Sequence, residues 1–483
     1  MGKFFYLLIP ILSWILITLP LWLSPFHPAV VSYFIIAFDL YFFYKAIITV
    51  IRSSIAYKKI QLFTKTNFDK KIINKKEVKK INHFVIIPNY KESLVKLEET
   101  IKAIINCHYP FKKNIFLVLA FEEREKEAWQ KEKFLVEKYK KYFKDILVSY
   151  HRLLPEEEAG KASNQTAACL KIEEYLNDQK EDFKNILITV CDADSRLPKN
   201  YFSYLTYQYL TDKDRFYHFY AAPVLLYGNF WRLPLFIRLQ TTLSSVLRLA
   251  FLEYGENFIQ ISTYSASFWL LKQVNFWDTN IIPEDWHIYL QAFFKFGKKV
   301  KTIPLYTIID GDAVYSGSVF KTSLNRYQQE KRWAWGVTDI GYALNHFFNT
   351  PHINPLDKLA KIIFIAENHL LWPTSFFILT LSASIPPLIN PVFKRTVLGF
   401  LLPKIAAFIL TLATICLIFY IYLDIKLRKK VNQTNKLVQL PFLIIQWYLL
   451  PIVSFFFSSL PALEAHTRLI FGKKIKYHVT EKV

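Results

Sequence analysis

Long apolar runs at both ends of the chain constrain its fold more than any other feature. Each approaches or exceeds the about 20 residues that an α-helix needs to cross the hydrocarbon core of a bilayer. Between these end runs, no segment is both long enough and free enough of charge to span. The sequence therefore predicts a folded domain of roughly 300 residues between membrane helices. The runs are Phe4–Leu23, Ala29–Ile51, Leu370–Ile389, Leu398–Leu423 and Leu437–Leu460.

The runs and the charges between them divide the chain into six predicted parts. These are two N-terminal transmembrane helices (1–55), a basic linker (56–80), a cytosolic domain with interfacial helices (81–350), an amphipathic interface helix (351–368), C-terminal transmembrane helices (369–462) and a basic tail (463–483). Lysines beside the runs mark the cytoplasmic side. They predict a multi-pass protein of the plasma membrane whose central domain is cytoplasmic.

The number of spans conflicts with the placement of the tail. Five spans would leave the basic tail outside, which the lysine rule disfavours. Pro451 and Pro461 could instead break the last run into a hairpin or a re-entrant pair. The sequence leaves both arrangements open.

The net charge of +22 also bears on the partners of the chain. Nucleic acid is a common partner of a basic protein. Here the lysines are explained by anionic lipid headgroups and by a diphosphate ligand, so we predict no nucleic-acid partner. The 4 cysteines have no paired spacing, which implies neither a disulfide framework nor a zinc site.

The central domain is predicted to be α/β. Short apolar runs at His83–Ile87, 114–121, 146–151 and 185–191 indicate strands, and helical patterns separate them. This alternation predicts a mostly parallel sheet that is covered on both faces. Ligands bind such sheets at the carboxyl ends of the strands.

Asp192 and Asp194 follow the fourth predicted strand in the stretch VCDADSRLP. In an extended stretch, residues i and i+2 project to one side, so the two carboxylates would repel unless a cation lies between them. A hard divalent ion, Mg²⁺ or Mn²⁺, takes one or two carboxylates together with phosphate oxygens. The pair is therefore a candidate metal and diphosphate site. The alternative is turn and capping chemistry.

Glu284 and Asp285 follow Pro283 at a predicted helix start. A carboxylate fixed there could serve as a general base toward a hydroxyl. The alternative is that both acids only stabilise the first turn of the helix.

Three further candidates are Gln329, Arg332 and Trp333, which share one face of a predicted helix. Arginine could bind phosphate, and the indole could contact a sugar ring. An amphipathic helix with its tryptophans at the lipid headgroups is the alternative. Lys161, after Gly160, could approach a phosphate or be an ordinary loop residue.

The order of these motifs, followed by membrane runs, resembles the membrane-bound family 2 glycosyltransferases, the relatives of cellulose and hyaluronan synthases. The resemblance implies a GT-A fold, a nucleotide-sugar donor and a metal bound by Asp192 and Asp194. It further implies Asp285, beside Glu284, as the catalytic base, and Gln329, Arg332 and Trp333 as ligands of the diphosphate and the acceptor. The donor-binding residues that it implies are Pro88, Asn89, Tyr90, Glu92, Lys161, Asp192 and, where the family usually has an aspartate, Glu122 and Glu123.

The resemblance thus predicts an enzyme that moves a sugar onto a hydroxyl of a lipid-linked or growing glycan acceptor, with inversion. The lipid bilayer is its other expected partner. The alternative is a membrane scaffold that binds nucleotide-sugars or partners without turnover.

Overall fold

The computed structural model describes residues 2–428 and 445–475. Its strands are β1 (Asn82–Asn89), β2 (Ile115–Glu122), β3 (Ile146–His151), β4 (Ile186–Val190), β5 (His218–Ala221), β6 (Val224–Leu225), β7 (Tyr264–Ser267), β8 (Lys301–Pro304) and β9 (Ile309–Asp310).

The helices of the protein include those that pack around the sheet and several long apolar ones. They are α1 (Gly2–Leu23), α2 (Pro28–Thr64), α3 (Phe68–Ile72), α4 (Leu94–Ile105), α5 (Ala128–Tyr139), α6 (Lys161–Asp178), α7 (Tyr201–Thr211), α8 (Leu235–Phe251), α9 (Phe268–Gln273), α10 (Glu284–Phe296), α11 (Val319–Ala334), α12 (Thr338–Asn349), α13 (Pro355–Thr380), α14 (Ile385–Ile389), α15 (Pro391–Lys394), α16 (Val397–Leu427) and α17 (Gln446–Ile470).

The central sheet has the strand order β3-β2-β1-β4-β7-β5-β8. Strands β1 to β4 are parallel to one another, whereas β7 runs antiparallel to both β4 and β5. Every residue of β1, β2 and β4 is buried, which is why these strands appear in the sequence as continuous apolar runs. The prediction of an α/β domain is confirmed. The sheet is mixed because β7 pairs antiparallel with β4 and β5, and the short later strands carry no comparable apolar run in the sequence.

Five described helices are long and apolar enough to cross a membrane: α1, α2, α13, α16 and α17. Two of them extend beyond the predicted boundaries. Helix α2 continues through the first part of the predicted basic linker, because residues 52–64 contain no glycine or proline to end it. Helix α13 joins the predicted interface helix to the following apolar run, and it begins at a cap formed by Asn354.

The end of α16 and the residues after α17 both contact other parts of the protein. At the end of α16, Asp424 accepts a hydrogen bond from Thr242 of α8 at 2.9 Å. Beyond α17, Lys474 forms an ion pair with Glu158 of the sheet domain. These two contacts attach the end of α16 and the residues after α17 to α8 and to the sheet domain. Residues 1, 429–444 and 476–483, with the start of the last apolar run and the end of the basic tail, lie outside the described residues.

Helix α8 is packed into the protein, and nine of its residues are buried, Ile237 and Leu249 among them. Its Ser245 accepts a hydrogen bond from the backbone of Leu226 at 3.2 Å, so the helix is fixed against the sheet domain. Toward its end it carries Arg248 to the candidate site.

Candidate active site

The parallel strands bring polar residues to one edge of the sheet. Asn89 ends β1, Glu122 ends β2, His151 ends β3 and Asp192 follows β4 by two residues. Because β1 to β4 are parallel and adjacent, their carboxyl ends share this edge. It is the edge at which the sequence predicts a ligand.

Asp192 and Asp194 lie in a turn, so the extended geometry inferred from their spacing is wrong. Strand β4 ends at Val190, and the backbone N–H of Ser195 donates to the carbonyl of Asp192 at 2.8 Å. The Asp192 carboxylate contacts the Lys161 ammonium and the Ser262 hydroxyl. The buried Asp194 carboxylate accepts from the backbone N–H of Asp312 at 3.3 Å.

Lys161 joins the carboxylates that the sequence could only place separately. It is the first residue of α6, and its ammonium contacts Asp192 and lies 3.6 Å from Glu284 Oε1. The predicted Gly-Lys, Asp-x-Asp and Glu-Asp motifs therefore meet at one place. One cation is shared between two acidic segments, which limits their mutual repulsion.

Asp285 has one carboxylate oxygen held and one without a partner. Its Oδ2 accepts from the backbone N–H of Ser262 at 2.7 Å, whereas its buried Oδ1 has no hydrogen-bond partner among the described residues. Burial, and then the charge of Glu284, raise the pKa of Asp285 well above 3.8, against the lowering effect of Lys161. Carboxyl groups with a raised pKa in a partly polar cleft are candidates for proton transfer in catalysis.

Ser262 is a residue that the sequence analysis missed. Its hydroxyl contacts Asp192 and its backbone N–H binds Asp285, so it fixes the spacing of the two acids. Its backbone has φ +69°, a conformation that residues other than glycine rarely adopt. Nothing in QISTYS, the stretch that contains it, signals this role.

On α11, the three predicted residues have different surroundings. Gln329 is buried, and its Oε1 accepts from Arg326 at 2.6 Å. The Trp333 ring lies near two guanidinium groups, with its centroid 4.9 Å from Arg326 and 5.6 Å from Arg248. Arg332 is partly exposed on the same helix. Arg326 and Arg248 were not predicted. Arg326 lies on α11 itself, three residues before Gln329, whereas Arg248 comes from α8, and helical spacing does not reveal a neighbour on another helix.

The predicted donor-binding residues are grouped around β1 and β2. The Glu122 carboxylate lies between His151 Nδ1 at 3.2 Å and Arg124 Nε at 3.1 Å. Arg124 also lies 4.3 Å from the centre of the Tyr90 ring. Asn89 donates to Glu125 at 3.1 Å, and its own buried Oδ1 has no hydrogen-bond partner among the described residues.

The other predicted donor-binding residues are peripheral to this group. Pro88 lies within β1, and Glu123 is exposed after β2. The backbone carbonyl of Glu92 accepts from Lys131.

A second ionic cluster, which the sequence analysis did not predict, holds the residue that donates a hydrogen bond to Asp194. Arg196 forms ion pairs with Asp312, with Asp310 at 3.2 Å and with Glu99 at 3.2 Å, and Lys96 lies 2.6 Å from Asp312. Burial alone would raise the pKa of Asp312, but the hydrogen bonds from Arg196 and Lys96 outweigh it and lower that pKa. The cluster keeps Asp312 in place to donate its N–H to Asp194.

Within residues 2–428 and 445–475, no group of three or more His, Cys, Asp or Glu side chains is arranged to hold a metal ion. Asp192 and Asp194 offer hard oxygen ligands at the sheet edge. Two carboxylates suit a hard divalent ion that completes its coordination with phosphate oxygens and water. The residues present therefore fit an ion that binds together with its diphosphate ligand.

Comparison with known proteins bears on the identity of the chain. A family model described as "Glycosyl transferase family group 2" matches residues 187–423, from β4 into α16. No curated protein matches. The solved structures that resemble it include a mannosyltransferase from Pyrobaculum calidifontis in complex with GDP-Man and Mn²⁺, at 13% identity and a TM-score of 0.44, covering 91% of this chain and 100% of that one.

Another similar structure is TarS 1-349 from S. aureus in complex with UDP-GlcNAc, at 10% identity and a TM-score of 0.36, covering 69% of this chain and 91% of that one. Because both TM-scores are below 0.5, the assignment depends on the family match and on the motifs within its range. That range includes Asp192, Asp194, Glu284, Asp285 and the α11 residues. Residues 187–423, just under half of the chain, thus match the family group 2 glycosyltransferases, and this match supports a glycosyltransferase with an α/β sheet domain.

Proposed function

We propose that this enzyme transfers a sugar from a nucleotide-sugar donor to a hydroxyl group of a lipid-linked or growing glycan acceptor at a membrane. The proposal depends mainly on the surroundings of the Asp285 carboxyl group. One oxygen is fixed by Ser262, the other is buried without a partner among the described residues, and the pKa is raised. An acceptor hydroxyl would supply the missing hydrogen bond.

The reaction would be a single displacement. Asp285 takes the proton of the acceptor hydroxyl, and the acceptor oxygen forms a bond to the anomeric carbon. The bond between that carbon and the diphosphate oxygen breaks on the opposite side, so the anomeric configuration inverts. The electron pair leaves with the nucleoside diphosphate, toward the cations Lys161 and Arg332. Glu284 stays paired with Lys161 and helps to hold the pKa of Asp285 high.

A divalent cation, Mg²⁺ or Mn²⁺, would be held by Asp192 and Asp194. When bound, it would neutralise charge on the leaving diphosphate. The Ser262 hydroxyl orients the Asp192 carboxylate, and the N–H of Asp312 orients that of Asp194. Both acids are thereby directed by groups outside the pair.

The nucleotide would bind along the ends of β1 and β2. Tyr90 and the Arg124 guanidinium that lies on its ring offer a flat surface for a base. The orphaned Oδ1 of Asn89 and the carboxylate of Glu122 offer acceptors for its N–H groups. Pro88, Glu92 and Glu123 would shape the entrance to this region.

The acceptor would approach from the membrane side, next to Gln329, Arg332 and Trp333. The attachment of α11 to an apolar helix supports this direction. Helix α11 is tied to the membrane helix α17 through hydrogen bonds from Tyr327 and Lys331 to Glu464, at 2.7 and 3.0 Å. The spans and the flanking lysines would place the enzyme in the plasma membrane with the GT-A domain in the cytoplasm.

The test is the variant Asp285→Asn in native-lipid membranes, incubated with labelled nucleotide-sugars and Mn²⁺. Loss of the proton acceptor should reduce turnover about 10²–10⁴-fold while nucleotide binding is retained. The matched control is Asp357→Asn, which also changes an acid in the first turn of a helix but lies outside the site. Turnover at the wild-type rate in Asp285→Asn would refute the base assignment. The family assignment argues against the scaffold alternative.

A further inference from the structure

Arg248 is a cation at the candidate site that the reaction described above does not use. It lies on α8, where its Nη1 donates to the carbonyl of Val224 at 3.1 Å and its guanidinium lies 5.6 Å from the centre of the Trp333 ring. Among the described residues it has no other hydrogen-bond acceptor and no ion-pair partner. The side chain is partly exposed, so its remaining N–H groups can reach a ligand.

The electrostatic surroundings of Arg248 differ from those of its neighbour Arg326. The buried Arg326 is neutralised by an ion pair with Glu330. Burial first, and then the charge of Arg326, lower the pKa of Arg248 to about 10, while Asp192 and Asp285 act in the opposite direction. Asp192, Asp285 and Glu330 thus all act on the charge of Arg248, and Arg248 is hydrogen-bonded to none of them; its contacts are with the Val224 carbonyl and the Trp333 ring.

The acids cannot easily become its partners. Asp192 is already bound by Lys161 and Ser262, and Asp285 is held by the backbone of Ser262. A guanidinium fixed at one corner by a carbonyl presents a planar fork of donors, which matches the oxygens of a phosphate group. Binding an anion there would also relieve the repulsion from Arg326.

We propose that Arg248 is a further substrate-binding residue that holds a phosphate group beside the ring of Trp333. The inference rests on the proposed function and adds to it a second phosphate contact, on α8 rather than on α11. Two substrates could carry that phosphate: the diphosphate of the donor, or the phosphate of a lipid-linked acceptor. Both present the same chemistry, and binding experiments separate them.

The experiment compares wild type, Arg248→Gln and Arg248→Lys in lipid nanodiscs. Dissociation constants are measured by calorimetry for UDP and GDP, each with Mn²⁺, and for dodecyl phosphate as a lipid phosphate probe. Loss of a charge-assisted hydrogen bond should raise the dissociation constant of the probe that Arg248 binds about 10- to 100-fold in Arg248→Gln. Arg248→Lys keeps the charge without the fork, so it should recover part of the affinity.

The matched control is Arg238→Gln. Arg238 lies on the same helix, donates to the carbonyl of Trp231 at 2.8 Å and lies near aromatic rings, but Asp192 and Asp285 do not act on it. It should leave all three dissociation constants unchanged. Thermal unfolding of each variant checks that the fold is intact.

The possible results lead to distinct conclusions. Weaker binding of UDP or GDP alone assigns Arg248 to the donor, and weaker binding of dodecyl phosphate alone assigns it to the acceptor. If Arg248→Gln binds all three probes as wild type does, the inference is overturned. Failure of the proposed function is separate, because it would appear as undiminished turnover in Asp285→Asn.

Discussion

Gly228 lies at a point where no side chain fits. A Cβ atom there would lie 1.8 Å from Nη2 of Arg196, 2.1 Å from Oδ1 of Asp312 and 3.0 Å from the carbonyl oxygen of Gly311. Arg196 and Asp312 are hydrogen-bonded at this point, so Gly228→Ala has to separate them. Because Asp312 also donates its N–H to Asp194 at 3.3 Å, the displacement should reach a candidate metal ligand.

The cost of Gly228→Ala can be bounded from these contacts. Removing one partner of a buried ion pair costs about 3–5 kcal/mol. Here both partners remain, with Asp310 at 3.2 Å from Arg196 and Lys96 at 2.6 Å from Asp312. Overpacking by one methyl group costs about 1–3 kcal/mol. We expect a loss of about 2 kcal/mol, which corresponds to a fall of roughly 4–8 °C in Tm.

The assay is thermal unfolding followed by tryptophan fluorescence, together with the Mn²⁺ concentration that gives half-maximal sugar transfer, which should rise. The control is Gly2→Ala, whose added methyl group would meet its nearest neighbour, Asn345 Oδ1, at an ordinary 3.6 Å. In an Arg196→Ala, Asp312→Ala background, Gly228→Ala should cost less than about 0.5 kcal/mol, because both side-chain atoms in its way are gone. Equal costs in the two backgrounds would refute the steric reasoning.

Three further predictions concern pH and metal. Because burial and Glu284 raise the pKa of Asp285, kcat/KM should fall on the acid side well above pH 3.8, and an acid limb near that value would contradict its role as base. Hydrogen bonds to Asp278 and Asp339 outweigh burial, which alone would lower the pKa of His287, and raise it from 6.5 to about 9. The raised pKa adds up to about 3 kcal/mol to the free energy of unfolding. This contribution is complete below pH 6.5 and is lost as the pH rises through about 9. His287→Gln should remove the loss of stability between these pH values in unfolding curves, and an unchanged pH dependence of stability in this variant would show that the loss has another cause. Chelation with EDTA should abolish sugar transfer and added Mg²⁺ or Mn²⁺ should restore it, whereas transfer that persists in EDTA would argue against a metal at Asp192 and Asp194.

The sequence was most informative where the signal is local and repeated. Strands β1, β2 and β4 are buried on both faces, so each appears as an unbroken apolar run followed by a polar residue. That pattern was enough to predict an α/β domain with ligands at one edge. Lys161, Asp192 and Glu284 were identified one by one, and the structure brings them together through the two contacts of Lys161.

The sequence failed where position depends on contacts between distant segments. Ser262 contacts both Asp192 and Asp285, yet nothing near it in the chain distinguishes it from any other serine. Arg248 lies beside Trp333 although 84 residues separate them. Gly228 requires no unusual backbone angle, so only the packing of the arginine against it explains the absence of a side chain. Such relations belong to the tertiary structure rather than to any periodicity.

The link between the site and the membrane part is of the same kind. Glu464 of α17 accepts hydrogen bonds from Tyr327 and Lys331, at 2.7 and 3.0 Å, and from Arg468 at 2.7 Å. The rotation of α11, and with it the direction of Trp333, is therefore set by a helix whose sequence predicts only an apolar run. A shift of α17 would therefore be transmitted to α11 and to the residues that α11 carries. The proposed acceptor-binding residues are thus recognisable in the sequence of α11, whereas their positions depend on contacts with α17.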